Sequence, residues 1–263
     1  MQPDYSITTA IDNVHIERFG SLENIKQAKL ELANATKTMA VLNICDTNIK
    51  DAMQQYLHTQ QITEICADTQ TTNINYLPDF NGQEFDYKNL HLQTKLIAPY
   101  IPQLSALVIE LATQLNIDEE KIKLGIKNIK QEPHRLEVLK NTQLNRTIID
   151  DSYNGNERGF IAGIDILKRA TGRKIVLTPG IVELGKKQKA IHTNIAKQYA
   201  NNADFVMLIK NTQTTHIKNY FDQHGFTKYK MYDSAEDAHK DIANVLQSGD
   251  TIIFQNDLTD NYA

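Results

Sequence analysis

Thr147-Ile-Ile-Asp-Asp-Ser-Tyr-Asn-Gly-Asn156 begins with residues that favour extended backbone and ends in residues that turn the chain, and a helical pattern follows at once, near Glu157 to Ala170. A buried strand running into a polar turn and then a helix is the repeating unit of a parallel sheet. The rhythm continues downstream, with strands expected at Lys174 to Thr178, Phe205 to Ile209, Lys228 to Tyr232 and Thr251 to Gln255. Helices at Lys187 to Ala200, Thr214 to His224 and Ala235 to Leu246 separate them. Connections of this length imply an α/β domain whose mostly parallel sheet is covered on both faces.

Upstream of Pro133 the texture is less regular. Tyr5 to Asp12 reads as a strand with no element before it to pair with, as though the chain enters partway through a domain. Ser21 suits a helix cap, and Leu22, Ile25, Ala28 and Leu32 recur at helical spacing behind it. Met39 to Asn43 reads as a buried strand, Ile49 to Leu57 as a helix, Glu64 to Ala67 as a short strand, and Thr69 to Leu92 as polar hairpins or loops. Helices are expected from Pro102 to Leu115 and from Ile117 to Gly125. The change of rhythm divides the chain into residues 1–131 and 132–263.

A chain of 263 residues, 41% hydrophobic and 23% charged, has ample material for two domains. With a formal charge of −4 and dispersed Lys and Arg, it offers no basic patch for nucleic acid. No apolar run reaches bilayer length, and the start lacks a signal-peptide pattern, so a cytoplasmic protein without membrane partners is expected. Cys45 and Cys66, the two cysteines, have neither disulfide-framework nor zinc spacing and read as two thiols.

In open parallel sheets ligands bind at the carboxyl ends of strands. Asp150 to Asn156 puts carboxylates, a hydroxyl, a phenol and amides at such an end, where acceptors suit ribose hydroxyls and a helix start attracts anions. The same residues can simply turn the chain and cap the helix, and pattern alone favours that use. Pro133-His-Arg-Leu-Glu137 places Arg135 at the domain junction, where its forked donors suit a phosphate; a surface Arg-Glu pair is the plainer reading. His15-Ile-Glu-Arg-Phe-Gly-Ser-Leu-Glu-Asn-Ile-Lys-Gln-Ala-Lys29 offers a strand-end imidazole and a helical lysine, residue types that more often cap or solvate.

Taken in order, these three stretches resemble the Mur ligases, in their UDP-N-acetylmuramoyl-tripeptide D-alanyl-D-alanine ligase (MurF) branch, over nearly the whole chain. The resemblance implies an incomplete Mur ligase central domain followed by a complete Rossmann-like C-terminal domain. It implies His15 and a carbamylated Lys29 as magnesium ligands, a modification that turns a cation into an oxygen donor for a hard metal. Arg135 then corresponds to the residue on the terminal phosphate of ATP, Asp151 to the ribose-binding acid, and Tyr153, Asn154 and Asn156 to the rest of that nucleotide motif. Pro179-Gly-Ile-Val-Glu-Leu-Gly185, with Glu183, and His192 beyond it are similar to the substrate-facing loop and helix. The implied reaction activates the carboxylate of a UDP-muramoyl peptide with ATP and Mg2+, then joins it to D-Ala-D-Ala.

Three departures accompany the resemblance, the first being that the family's N-terminal domain, which holds the UDP moiety, has no counterpart in these residues. The 263 residues hold no G-x-x-x-x-G-K-[ST] phosphate loop, which leads to the expectation of a chain inactive alone and served by a complementing N-terminal chain. Tyr100 and Ile101 stand where relatives carry a His-Asn pair for adenine. A non-catalytic fragment or binding module that keeps the C-terminal fold is the alternative. A free-standing dehydrogenase is disfavoured, since no Gly-x-Gly-x-x-Gly opens a helix.

Overall fold

The computed structural model describes residues 2–12, 16–59 and 61–256. The chain forms two compact units, Met1–Lys130 and Gln131–Ala263.

In the first unit, β1 (Tyr5–Thr8), α1 (Ile16–Phe19), α2 (Leu22–Ala35), β2 (Met39–Asn43), α3 (Thr47–Tyr56) and β3 (Ile62–Ile65) build a parallel sheet of order β1-β2-β3. β2 is central because Ala40, Val41 and Leu42 are apolar without alternation, as a strand covered on both faces must be. Ser21 caps α2 by accepting the Asn24 N–H at 3.1 Å. After α4 (Ala67–Gln70), the polar stretch folds into an antiparallel sheet of β4 (Thr71–Tyr76), β5 (Gln83–Tyr87) and β6 (Leu90–Thr94). In β5 and β6 alternate residues are buried, so the sheet keeps one apolar face. That face packs with α5 (Ile101–Gln114) and α6 (Glu119–Asn128) through Phe85, Leu92, Leu107 and Ile122.

Cys45 and Cys66 are not thiols but a disulfide, with Cα atoms 4.7 Å apart. Twenty-one positions separate them in sequence, yet the parallel register sets Asn43 opposite Ile65, so the residues just past the two strands meet. Sequence spacing gives no sign of that proximity.

The second unit contains β7 (Glu137–Asn141), β8 (Arg146–Asp151), α7 (Glu157–Leu167), β9 (Lys174–Thr178), α8 (Gln188–Asn202), β10 (Phe205–Ile209), α9 (Thr212–Gln223), β11 (Tyr229–Tyr232), α10 (Ala235–Val245) and β12 (Thr251–Gln255). The sheet order is β11-β10-β9-β12-β8-β7, parallel throughout except for β7, which runs antiparallel on the edge beside β8. The sequence pattern gave no sign of β7, whose Leu139 and Lys140 face solvent. Among the described residues no helix is long and apolar enough to cross a membrane.

Candidate functional site

Because β7 is antiparallel to β8, the loop leading into β7 arrives at the carboxyl end of β8, with Glu137 opposite Asp150. Two stretches distant in sequence, 131–137 and 150–156, therefore meet. The His134 Nδ1–H donates to Asp150 Oδ2 at 2.8 Å, and the His134 carbonyl accepts the Tyr153 N–H at 3.1 Å. Asp150 Oδ1 also accepts the Ser152 N–H at 3.1 Å, the turn that ends the strand. The Asp151 carboxylate faces the backbone of Leu136 and lies in the field of Arg135. The Asn256 N–H donates to the Asp151 carbonyl at 3.2 Å, tying the end of β12 to that of β8.

Arg135 lies over the Tyr153 ring, 4.1 Å from its centroid, and its Nη1 donates to Asn154 Oδ1 at 3.4 Å. All three side chains are exposed. Arg135, Asp151, Tyr153 and Asn154, expected from sequence as one nucleotide-facing set, are thus together. Asn156 takes the plainer use: its side chain accepts the Gly159 N–H at 2.9 Å and caps α7. Gly155 between them leaves no room for a side chain, since a Cβ there would stand 2.3 Å from the buried Phe160 ring.

Burial pushes the Asp151 carboxyl up to about 7, the adjacent Asp150 adding to the rise while Leu136 and Arg135 oppose it. A carboxyl poised near neutrality can accept from hydroxyls or be drawn fully anionic by an approaching donor.

Below this surface runs a buried polar chain. Tyr199 Oη donates to Gln255 Oε1 at 2.9 Å, Gln255 Nε2 donates to the Phe160 carbonyl at 2.8 Å, and the Gly180 N–H donates to Thr178 Oγ1 at 2.9 Å. Sequence reasoning missed it, because isolated Thr, Tyr and Gln carry no pattern.

His192 departs from its expected place facing a substrate. It is 0% exposed, its Nδ1–H donates to the Gln188 carbonyl at 2.8 Å, and its Nε2 accepts the Ile181 N–H at 3.0 Å. Both ring nitrogens are spent on fastening the loop after β9 to α8. Gly180, at φ 83°, passes so close that a Cβ would sit 2.9 Å from Nε2. Burial holds the imidazole neutral, with its pKa lowered to about 4. Glu183, in the same loop, is half-buried with a left-handed φ of 57°.

In the first unit Lys29 sits on the exposed face of α2; the buried lysine of that helix is Lys26, paired with Glu23 at 2.9 Å. His15 lies outside the described residues. Among the described residues, one group has metal-ligand chemistry: ligand atoms of His134, Glu137 and Asp150 lie within 4.8 Å of one another. The 2.8 Å bond between His134 and Asp150 already uses two of the three, and a divalent ion would have to displace it.

Two family models match the chain: the Mur ligase middle domain over residues 1–101, and the Mur ligase, glutamate ligase domain over residues 134–255. Among curated relatives, a UDP-N-acetylmuramoyl-tripeptide--D-alanyl-D-alanine ligase of Haemophilus influenzae is 26% identical over 89% of this chain and 52% of its own length. The Escherichia coli protein of that name is 23% identical over 74% of this chain and 45% of its own length. Among solved structures, MurF from Acinetobacter baumannii superposes with TM-score 0.83 at 19% identity, covering 97% of this chain and 57% of that one. MurF ligase from Thermotoga maritima in complex with ADP gives 0.78 at 21% identity, covering 97% and 58%. The chain spans about half the length of the curated relatives it matches.

Proposed function

Because this chain belongs to the Mur ligase family, we propose that it serves peptidoglycan-precursor synthesis, as the nucleotide-facing part of a ligase that joins D-Ala-D-Ala to a UDP-muramoyl peptide using ATP. One observation carries the reading: Arg135, Asp151 and Asn154 converge at the carboxyl end of β8, the end at which open parallel sheets bind ligands. The donor chemistry fits a nucleotide. Arg135 presents forked cationic donors for a phosphate, Asp151 presents acceptors for vicinal ribose hydroxyls, and Tyr153 holds the guanidinium from beneath. The solved ADP complex of a MurF ligase with the same fold is consistent with this reading.

ATP supplies a phosphoryl group that turns a carboxylate into an acyl phosphate open to attack by an amine. In such chemistry the protein works through positioning and charge. Arg135 offsets negative charge as it gathers on the transferring group, and Asp151 fixes the nucleotide's register. The loop after β9, carrying Glu183 and fastened from within by His192, faces the acceptor peptide. By resemblance, His15 and Lys29 would hold magnesium; an unmodified ammonium is no ligand, so Lys29 serves only when carbamylated.

The chain alone does not turn over under this proposal, because its 263 residues contain no phosphate-loop motif. The same absence favours a second reading, a module that keeps the fold without catalysis. An assay of ADP release and ligated product, with UDP-muramoyl tripeptide, D-Ala-D-Ala, ATP and Mg2+, separates the two. The ligase reading expects no product from the chain alone and product on adding a polypeptide that spans the N-terminal half of a MurF relative. Absence of product with that polypeptide bound to the chain would favour the module.

A further inference from the structure

Arg135 is flanked by two non-glycine residues in the left-handed region, His134 at φ 62° and Leu136 at φ 58°. Such a conformation persists only where the surroundings over-determine it. Each flanking residue is tied to one of the two consecutive carboxylates that end β8. His134 reaches Asp150 through its ring at 2.8 Å, and the backbone of Leu136 reaches Asp151. In the tie to Asp150 the acceptor is buried while the His134 ring is exposed, and the His134 N–H also donates to Glu137 Oε2 at 3.3 Å. Leu136 is itself buried at 3% exposure, so the loop cannot roll without exposing it. The guanidinium has much weaker support: one ring face and one hydrogen bond of 3.4 Å. A long exposed side chain so lightly held owes its direction to the backbone beneath it.

We infer that His134, through its hydrogen bond to Asp150, is a positioning residue that sets the direction of the Arg135 guanidinium. The backbone at 134–136 is clamped from both sides by adjacent carboxylates, and Arg135 leaves it over Tyr153 toward Asn154. What the guanidinium binds rests on the function proposed above; the clamp exists without any ligand.

The test is the steady-state heteronuclear NOE of the Arg135 Nε–Hε group in the full chain, assigned with Arg135→Lys. His134→Gly accepts the left-handed φ and removes the donor. His134→Asn also accepts that φ and returns an amide donor near the place of Nδ1. The expected result is a high NOE in the wild type, at least a twofold fall in His134→Gly, and recovery in His134→Asn. Equal values in the wild type and His134→Gly would overturn the clamp. If the glycine variant does not fold, Asp150→Ala removes the acceptor instead, with the same fall expected and the same constancy contradicting it.

A titration with MgADP then separates clamp from function. His134→Gly and Arg135→Ala should each weaken binding several-fold, and the double variant no more than Arg135→Ala alone. A further loss in the double variant would overturn the claim that His134 acts through Arg135. An NOE that follows the expected pattern while MgADP leaves Arg135 unshifted would keep the clamp and discard the nucleotide reading.

Discussion

Both units end parallel strands in clustered loops, but they secure those ends by different means. In the first unit a covalent bond, Cys45–Cys66, ties the segment after β2 to the segment after β3. In the second, hydrogen bonds hold each strand end separately: His134 to Asp150 at β8, Gly180 to Thr178 at β9, and Tyr199 of α8 to Gln255 at β12. The contrast teaches that one end answers to reductant, whereas the other is held by buried groups whose responses to acid oppose one another. The two ends also differ in surface: the second presents converging polar groups, whereas Lys29 in the first unit stands exposed on its helix.

Reduction is the sharpest way to break the contrast. Closing a loop of 21 residues restricts the unfolded chain by about 3 kcal/mol. Dithiothreitol is therefore expected to lower the stability of the first unit by that order and to leave the second unchanged, as read by urea unfolding followed with amide hydrogen exchange. Equal destabilisation of both units would contradict it.

The acid response comes next, and its sign needs two groups. His192 is neutral in the fold, with its pKa lowered from 6.5 to about 4, so it removes stability as pH falls from 6.5. Asp151, raised from 3.8 to about 7, acts oppositely, because the folded state holds the extra proton and gains as pH falls through the same window. The two slopes largely cancel in the wild type. Asp151→Asn exposes the histidine limb, with a loss of about 2.5 kcal/mol expected between pH 6.5 and about 4.5. A profile parallel to the wild type would show that His192 is not buried neutral.

Asn156→Ala removes the α7 cap and is expected to cost about 1 kcal/mol. Lys29→Ala, at an exposed helical position, should change stability by less than about 0.5 kcal/mol. A larger effect of Lys29→Ala would mean that the lysine is held by contacts, as the residues after β8 are.

Much of the fold was legible because burial writes itself as apolar runs. β2, β9, β10 and β12 lie where unbroken β-branched and aliphatic residues place them. β7 was not legible, since an edge strand with exposed Leu139 and Lys140 carries no periodic signal. The polar hairpins appeared only as Asn-rich texture, their register being fixed by the buried alternation of Phe85 and Tyr87. Motif resemblance grouped Arg135, Asp151 and Asn154, and the fold brings them together at the end of β8. The sequence hid the hydrogen bond between His134 and Asp150, because it depends on an antiparallel strand that sequence could not place. His192 misled for a related reason: a histidine on a helix after a strand looks available until its packing is known.

The central claim is that the carboxyl end of β8 receives a nucleotide. A titration of the full chain with MgADP to millimolar concentration, followed on the Arg135 Nε–Hε resonance and the Asp151 and Asn154 amides, tests it most directly. Saturating shifts at these three groups in the wild type, with those of the Asp151 and Asn154 amides lost in Arg135→Ala, are the predicted result. Shifts absent from all three in the wild type, or unchanged at the two amides in Arg135→Ala, would contradict it.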